Sequence, residues 1–348
     1  MYHGLKKILY SASVLIVVVM VVFIMFQGFG DPARLVAGQT GDKKTMENIR
    51  KDLYLDKPKW KQFLLYLNDV SPIAIHSSEE ISRKGLRGFF IGGKTTIGIK
   101  VPYLRRSYQS KKPVDAILLD ALPGTIILAF AAMLIACIGG VTLGVLAAVK
   151  KGKWADTAAI FGSIAGISVP SFFAALVIAY LFGIVLHRYT GLNFTGSLFE
   201  TDELTGEKYI NIKNLLLPAI TLGIRPLAII TQLTRSSMLD TLNQDYIRTA
   251  FAKGLSKRKV IFKHALRNAL NPVITAITGW FAELLAGAFF IEYIFGWKGI
   301  GKITVDALEK LDYPVVMGAV LLSACIFVFT NFMADLIYRK IDPRISSN

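Results

Sequence analysis

Cysteine is almost absent from this chain. Its 348 residues include two, Cys137 and Cys325, and both sit inside apolar runs. A disulfide framework needs more of them, in exposed loops, so these two are read as small core hydrophobes. Histidine is nearly as scarce: His3, His76, His187 and His264 are scattered, and no pair has the spacing of metal ligands. The long segment between the first two apolar blocks lacks a Ser-His-Asp set or paired acids, which argues against an enzyme working through it. Internal repeats and low-complexity tracts are also missing. Acids are outnumbered, 24 Asp and Glu against 40 Lys and Arg, for a net charge of +16. In a soluble protein that balance would point to nucleic acid. Here the basic residues flank apolar blocks, so they are assigned to membrane topology and lipid headgroups, and no nucleic-acid partner is expected.

What is present is hydrophobicity in long blocks. The apolar share is 53% and the mean hydropathy +0.49, above the roughly 45–50% apolar content of soluble domains. Six stretches can cross a hydrocarbon layer that takes about 20 helical residues: 8–29, 122–149, 157–187, 215–233, 272–294 and 314–337. The fold class is therefore an all-α integral membrane protein of six transmembrane helices, with an extra segment between the first and second. Lys6 and Lys7 precede the first stretch as in a signal peptide. Its apolar run is longer than the roughly 7–15 residues of a signal core, and no small-x-small site comes after it, so it is expected to remain as an uncleaved helix.

Basic residues in short loops set the orientation. With both termini inside, the inner segments hold Lys150, Lys151, Lys153, the basic residues from Arg235 to Arg267, and Arg339, Lys340 and Arg344, with few acids such as Asp156 and Asp245. The expected organisation is a helix over 1–30, an extracytoplasmic segment with a small α/β subdomain over 31–120, a five-span core over 121–340 with an inner loop at 235–268, and a tail at 341–348.

The outer segment holds two apparent amphipathic helices, over 45–53 and 58–70; in the second, Trp60, Phe63, Leu64 and Leu67 fall on one face. Residues 89–101 have the composition of a hairpin. Gly88-Phe-Phe-Ile-Gly-Gly93-Lys94-Thr95 fits the phosphate-loop pattern, but the mechanism needs a helix directly after the loop. The next residues, Thr96-Ile-Gly-Ile-Lys-Val-Pro102, read as extended. The pattern is taken as a glycine-rich turn, and the chain is not expected to hydrolyse ATP.

The inner loop at 235–268 is the most informative stretch. Asp245 is placed to cap a helix over 246–253, and Gly254 suits the left-handed residue that ends one. Ile247, Ala250 and Phe251 form a small apolar face at helical spacing. A second helix, over 257–270, then leads into the fifth span. The bland alternative is a basic loop that merely obeys the orientation rule.

The stretch Asp245-Tyr-Ile-Arg-Thr-Ala-Phe-Ala-Lys-Gly-Leu-Ser256, with His264-Ala-Leu-Arg-Asn268 and Pro272, resembles the coupling loop of ABC-transporter permeases, in the branch that imports dipeptides, oligopeptides and nickel. Aligned on Gly254, only Ala250, Gly254 and Leu266 match the general importer signature, and the departures at Arg248, Thr249, His264 and Arg267 are those of the peptide branch. Gly30-Asp31-Pro32, Leu233-Thr-Arg-Ser-Ser-Met238, Glu292-Tyr-Ile-Phe-Gly-Trp-Lys-Gly-Ile-Gly301, Asp312-Tyr-Pro314, Asp335-Leu-Ile-Tyr338 and Asp342-Pro-Arg344 carry the likeness through most of the chain. Residues 71–101 look like an insertion.

The resemblance implies the permease fold of type I ABC importers, in a bacterial cytoplasmic membrane. It implies a second homologous permease, two cytoplasmic ATPase subunits that bind ATP and magnesium, an extracytoplasmic solute-binding protein, and no cofactor, metal or catalytic residue in this chain. The residues it implies for coupling to the ATPases are Tyr246, Ile247, Arg248, Thr249, Ala250, Phe251, Lys253, Gly254, Leu255, His264 and Arg267. Peptides are the expected cargo; nickel or another small solute is the alternative. An ion-coupled secondary transporter is the reading from another class, but it would need repeats and midplane acids. A membrane-anchored sensor or enzyme working through its outer segment is a further alternative.

A charge inside a span faces a cavity or a partner, because burying it in lipid is costly. Arg225, Glu283 and Asp335 are charged residues within the spans, and Gln232 and Asn331 are polar ones; Arg225, Gln232 and Glu283 are candidates for the translocation pathway. Arg225 and Glu283 are left with three readings: mutual pairing, lining of the translocation pathway, or snorkelling. Pro170 and Pro218 are expected to kink spans three and four. Gly139, Gly140 and Gly144, and Gly162 with Gly166, are expected to allow close helix packing.

Overall fold

A computed structural model of the chain describes residues 2–28, 47, 50, 54–201 and 205–341. The helix expected over 45–53, the Gly30-Asp31-Pro32 motif and the tail from Asp342 fall largely or wholly outside them. The chain forms two compact units, one of residues 1–120 and 303–325, the other of residues 121–302 and 326–348.

In the first unit, helix Tyr2–Gly28 places Val19 and Val22 in a cluster with Tyr66, Val70, Tyr313 and Met317. Helix Lys59–Val70 is present as expected, but its buried stripe is rotated. Phe63, Tyr66, Leu67 and Val70 face the cluster, while Trp60 and Leu64 are 66% and 52% exposed. Apolar residues lie on several sides of this helix, and the tertiary partner selects the stripe at i, i+3, i+4 and i+7. Asp312, just before helix Tyr313–Ile341, ties down the loop that leads into helix Val114–Val149. Its carboxylate accepts hydrogen bonds from the Ser107 hydroxyl at 2.5 Å and the Tyr108 N–H at 2.8 Å.

Strands β1 (Ile73–Ser77), β2 (Gly88–Gly92) and β3 (Thr95–Lys100) form an antiparallel sheet in the order β1-β3-β2. The phosphate-loop pattern therefore lies in a hairpin, with Ile91 opposite Ile97, and strand β3 occupies the place where a nucleotide site would need a helix. The sheet is inverted relative to the usual pattern. Ala74, His76, Thr96 and Lys100 are buried, while Ile73, Ile75, Phe89, Ile91, Ile97 and Ile99 are exposed. Helix Ser78–Lys84 links β1 to β2; Ser77 and Glu80 form a capping box at its start, and left-handed Gly85 ends it. Beneath the sheet Lys84 meets Asp69 at 2.5 Å, and Lys100 donates to the Asp69 carbonyl. Burial lowers the Lys100 pKa to about 8 and also pulls that of His76 down.

In the second unit, helix Val114–Val149, whose first residues belong to the first unit, packs on helix Lys213–Leu242. A Cβ at Gly140 would come within 2.7 Å of Ile230, and one at Gly144 within 2.5 Å of Thr234, so these glycines set the approach. Gly166 does the same less tightly against Ile224 and Ala228. Gly162 meets nothing within 4 Å, contrary to its expected packing role. Val114–Val149, Lys213–Leu242 and Tyr313–Ala334 are long and apolar enough to cross a membrane, and the pair Trp154–Ser168 and Ser171–Val185 makes a fourth if counted as one span. That third stretch is no continuous rod: it bends by 107° at its break. Pro170 lacks the N–H that would bond Gly166 and forces Val169 out of helical conformation, to ψ 126°. Pro218, by contrast, lies within an unbroken helix.

Candidate functional site

Helix Asp245–Ala252 comes two residues after the long Lys213–Leu242 helix. Gln244, not Asp245, holds the N-cap position, and no side chain caps the helix. Its C-terminus is closed in the manner expected. Gly254 adopts φ 76°, its N–H donates to the Phe251 carbonyl at 2.9 Å, and the Leu255 N–H reaches back to Ala250 at 3.3 Å. These two bonds form a Schellman motif, which satisfies carbonyls that would otherwise lack partners.

The helix has a buried stripe and an exposed side. Ile247 and Ala250 are buried against Val145, Ala148, Met238, Val260, Ile261, Ala265 and Ala269, and Leu255 packs on the same cluster. They lock the helix onto the ends of its own long helices. Tyr246 and Phe251 stay 43% and 46% exposed, and Arg248, Thr249, Lys253 and Gly254 lie on the open side. The predicted apolar trio is thus divided, with two anchors facing inward and one aromatic ring facing out. His264 is half-buried and Arg267 exposed, on a helical run that contains a π segment, Val260–Ala265. Asn268 donates to the Tyr246 hydroxyl at 2.8 Å and ties that run to the short helix.

Two further fastenings belong to the same unit. Arg235 makes a two-pronged ion pair with Asp156, at 2.5 and 2.9 Å, and Asp156 also accepts the Gly152 N–H. In the sequence Asp156 stands out only as a rare acid among basic neighbours. Glu292 is fully buried. Its carboxylate accepts from the Thr125 hydroxyl at 2.7 Å and from the N–H groups of Gly301 and Lys302 at 2.7 and 3.2 Å. It thereby caps helix Ile300–Glu309. A Cβ on Gly299 would lie 2.3 Å from that carboxylate, and one on Gly301 2.4 Å from Phe289. Trp297, also fully buried, donates from its indole to the Gly124 carbonyl at 2.9 Å. The Glu292–Gly301 motif is a structural clamp.

Arg225 and Glu283 come together at one place. Both line a cavity of about 120 Å³ with Trp280, Ser171, Leu222 and Ile224. Among the described residues they form no ion pair; the Arg225 guanidinium lies over the Trp280 ring, 5.5 Å from its centroid. Gln232, on the same helix as Arg225, is half-buried and outside the lining. Asn331 is absorbed by a bond to the Phe327 carbonyl at 2.9 Å. Nothing is described of the Asp335 side chain. Among the described residues no cluster of His, Cys, Asp and Glu has the makings of a metal site.

Two family models match the chain. Residues 140–347 fit the binding-protein-dependent transport system inner membrane component, and residues 1–129 fit its N-terminal region. The dipeptide transport system permease protein DppB of Escherichia coli K12 is 37% identical over 333 residues, which cover 91% of this chain and 90% of that protein. DppB of Haemophilus influenzae is 42% identical over 255 residues, 69% of this chain and 75% of that protein. The glutathione transport system permease protein GsiC of E. coli K12 is 32% identical across 99% of this chain and 98% of its own length. Among solved structures, a chain of the inward-facing MetNI methionine ABC transporter superposes with a TM-score of 0.51 at 18% identity, covering 66% of this chain and 97% of that one.

Proposed function

The chain belongs to the family of binding-protein-dependent transport system inner membrane components, and we propose that it is the permease subunit of an ATP-driven importer of di- or oligopeptides. The peptide assignment is supported by relatives named as dipeptide and glutathione permeases over most of the chain's length. In this reading the chain pairs with a second, similar permease and crosses the cytoplasmic membrane six times with both termini inside. It receives cargo from an extracytoplasmic binding protein and leaves ATP hydrolysis to two ATPase subunits.

The observation that carries the proposal is the division of helix Asp245–Ala252 into an anchored stripe and an exposed remainder, with one aromatic ring on each side of the stripe. An amphipathic helix laid in a groove is a recurrent docking mode. Tyr246 and Phe251 offer the rings, and the buried Ile247 and Ala250 hold the helix to the bundle. In the assembled importer, Phe251→Asp abolishes peptide uptake and peptide-stimulated ATP hydrolysis while membrane content stays normal. Unchanged transport in that variant defeats the docking assignment. Lys94, in the hairpin, takes no part in turnover, so Lys94→Ala leaves ATP hydrolysis by the complex unchanged.

A further inference from the structure

We infer that the cavity between Arg225 and Glu283 is a subsite for the two charged ends of a peptide, with the carboxylate at Arg225 and the ammonium group at Glu283; this rests on the peptide-permease reading above. Arg225 lies well inside helix Lys213–Leu242, one of the helices apolar enough to span a membrane. A charge there needs a partner or a wet cavity. The obvious partner, Glu283, lines the same cavity without pairing, so each charge keeps its capacity for a ligand.

The chemistry of the lining favours a zwitterion over a single ion. The planar guanidinium matches a carboxylate in a two-pronged geometry, and the Trp280 ring lies against it, 5.5 Å away. Glu283 accepts from an ammonium group. A lone anion would face the repulsion of Glu283, and a lone metal cation that of Arg225. No histidine or cysteine lines the cavity.

The backbone adds acceptors for a peptide's own N–H groups. Pro226 and Pro170 remove the helical donors that the carbonyls of Leu222 and Gly166 would otherwise have, and Leu222 and Gly166 line the cavity. Leu222, Ile224 and Leu284 ask nothing of a side chain beyond apolarity, which suits cargo of mixed sequence. Selection thus falls on the termini and the backbone.

The test uses the full importer with its binding protein in proteoliposomes, with uptake normalised to membrane content. The probes are alanyl-alanine, N-acetyl-alanyl-alanine and alanyl-alaninamide. Uptake of the free dipeptide by Arg225→Gln, by Glu283→Gln and by the double variant is expected to fall about tenfold or more. If the pair were only structural, the double variant would recover, because removing both charges leaves none uncompensated. Wild-type uptake in the double variant, or in either single one, overturns the subsite. A second readout needs no charge variant. In the complex without binding protein, Trp280 fluorescence, taken as the difference from Trp280→Phe, shifts with the free dipeptide and not with either capped one. No shift, or an equal shift with the capped peptides, also overturns it. Failure of the wild-type importer to accumulate alanyl-alanine at all instead defeats the peptide-permease reading.

Discussion

At Gly254 one dihedral angle decides whether the short helix ends in the right place. Its φ of 76° is costly for any residue with a Cβ, and its N–H is used by Phe251. Gly254→Ala keeps the donor and meets no neighbour within 4 Å, so it costs only the left-handed penalty of about 1–2 kcal/mol and lowers uptake mildly. Gly254→Pro loses the donor and cannot adopt the angle, so it abolishes uptake while the chain still reaches the membrane. A normal uptake rate for the proline variant contradicts this. Glu292 is governed by a different rule. Removing its carboxylate strands the donors of Thr125, Gly301 and Lys302, and a buried group left unsatisfied costs about 1–3 kcal/mol. Glu292→Ala therefore lowers the melting temperature of the detergent-solubilised chain sharply. Gly299→Ala does nearly as much by pushing a methyl group into the carboxylate. A melt unchanged by either substitution rejects the clamp.

Among the elements, the β1-β3-β2 sheet is the one whose stability should depend on pH. Lys100, buried beneath it, has its pKa lowered from 10.5 to about 8, and His76 is lowered from 6.5, both chiefly by burial. In each case the unfolded chain binds the proton more readily than the folded one, so stability rises with pH wherever the two differ. For His76 the gain comes as pH approaches 6.5 from below; for Lys100 it comes between about 8 and 10.5. Protection factors for the amides of residues 73–100, corrected for intrinsic exchange, are expected to climb across both windows, and Lys100→Met to flatten the upper one. A fall across the upper window refutes the assignment. The same sheet shows where sequence reading stops. The hairpin over residues 89–101 is legible from composition, and so is the failure of the phosphate-loop pattern, since an extended run comes directly after it. The inward face is not legible, because alternation marks two faces without saying which one is covered. Ile73, Ile75, Ile97 and Ile99 alternate as a core would, yet they are exposed. The short helix at 245 is legible almost to the residue, since a glycine C-terminus and a 3.6-residue period are local signals. The burial of Ile247 and Ala250, the pairing of Asp156 with Arg235 and the cap from Glu292 depend on residues far apart in the chain, and no local pattern encodes them.

On the scale of the whole molecule, an importer has to convert a push on one short helix into movement of its spans. A loose loop would absorb that push. Here Ile247 and Ala250 are packed with Val145 and Ala148 from the end of helix Val114–Val149, with Met238 from the end of helix Lys213–Leu242, and with Val260, Ile261, Ala265 and Ala269 from the run that enters Asn271–Gly287. Three long elements therefore meet the short helix through one close-packed cluster, and close-packed cores transmit displacement instead of yielding to it. Docking and transmission then become separable. On the proposed reading Phe251, which faces out, serves the first, and Ile247, 1% exposed, serves the second. Ile247→Ala leaves the docking rings in place but opens a cavity under the helix, at a cost of about 2–5 kcal/mol to the cluster. The assembled complex carrying it should still bind its ATPases and hydrolyse ATP, while uptake per ATP falls steeply. Phe251→Asp should lose hydrolysis and uptake together. Measuring both quantities on both variants separates the roles: if Ile247→Ala keeps the wild-type ratio of uptake to hydrolysis, the cluster is not the path by which force reaches the spans.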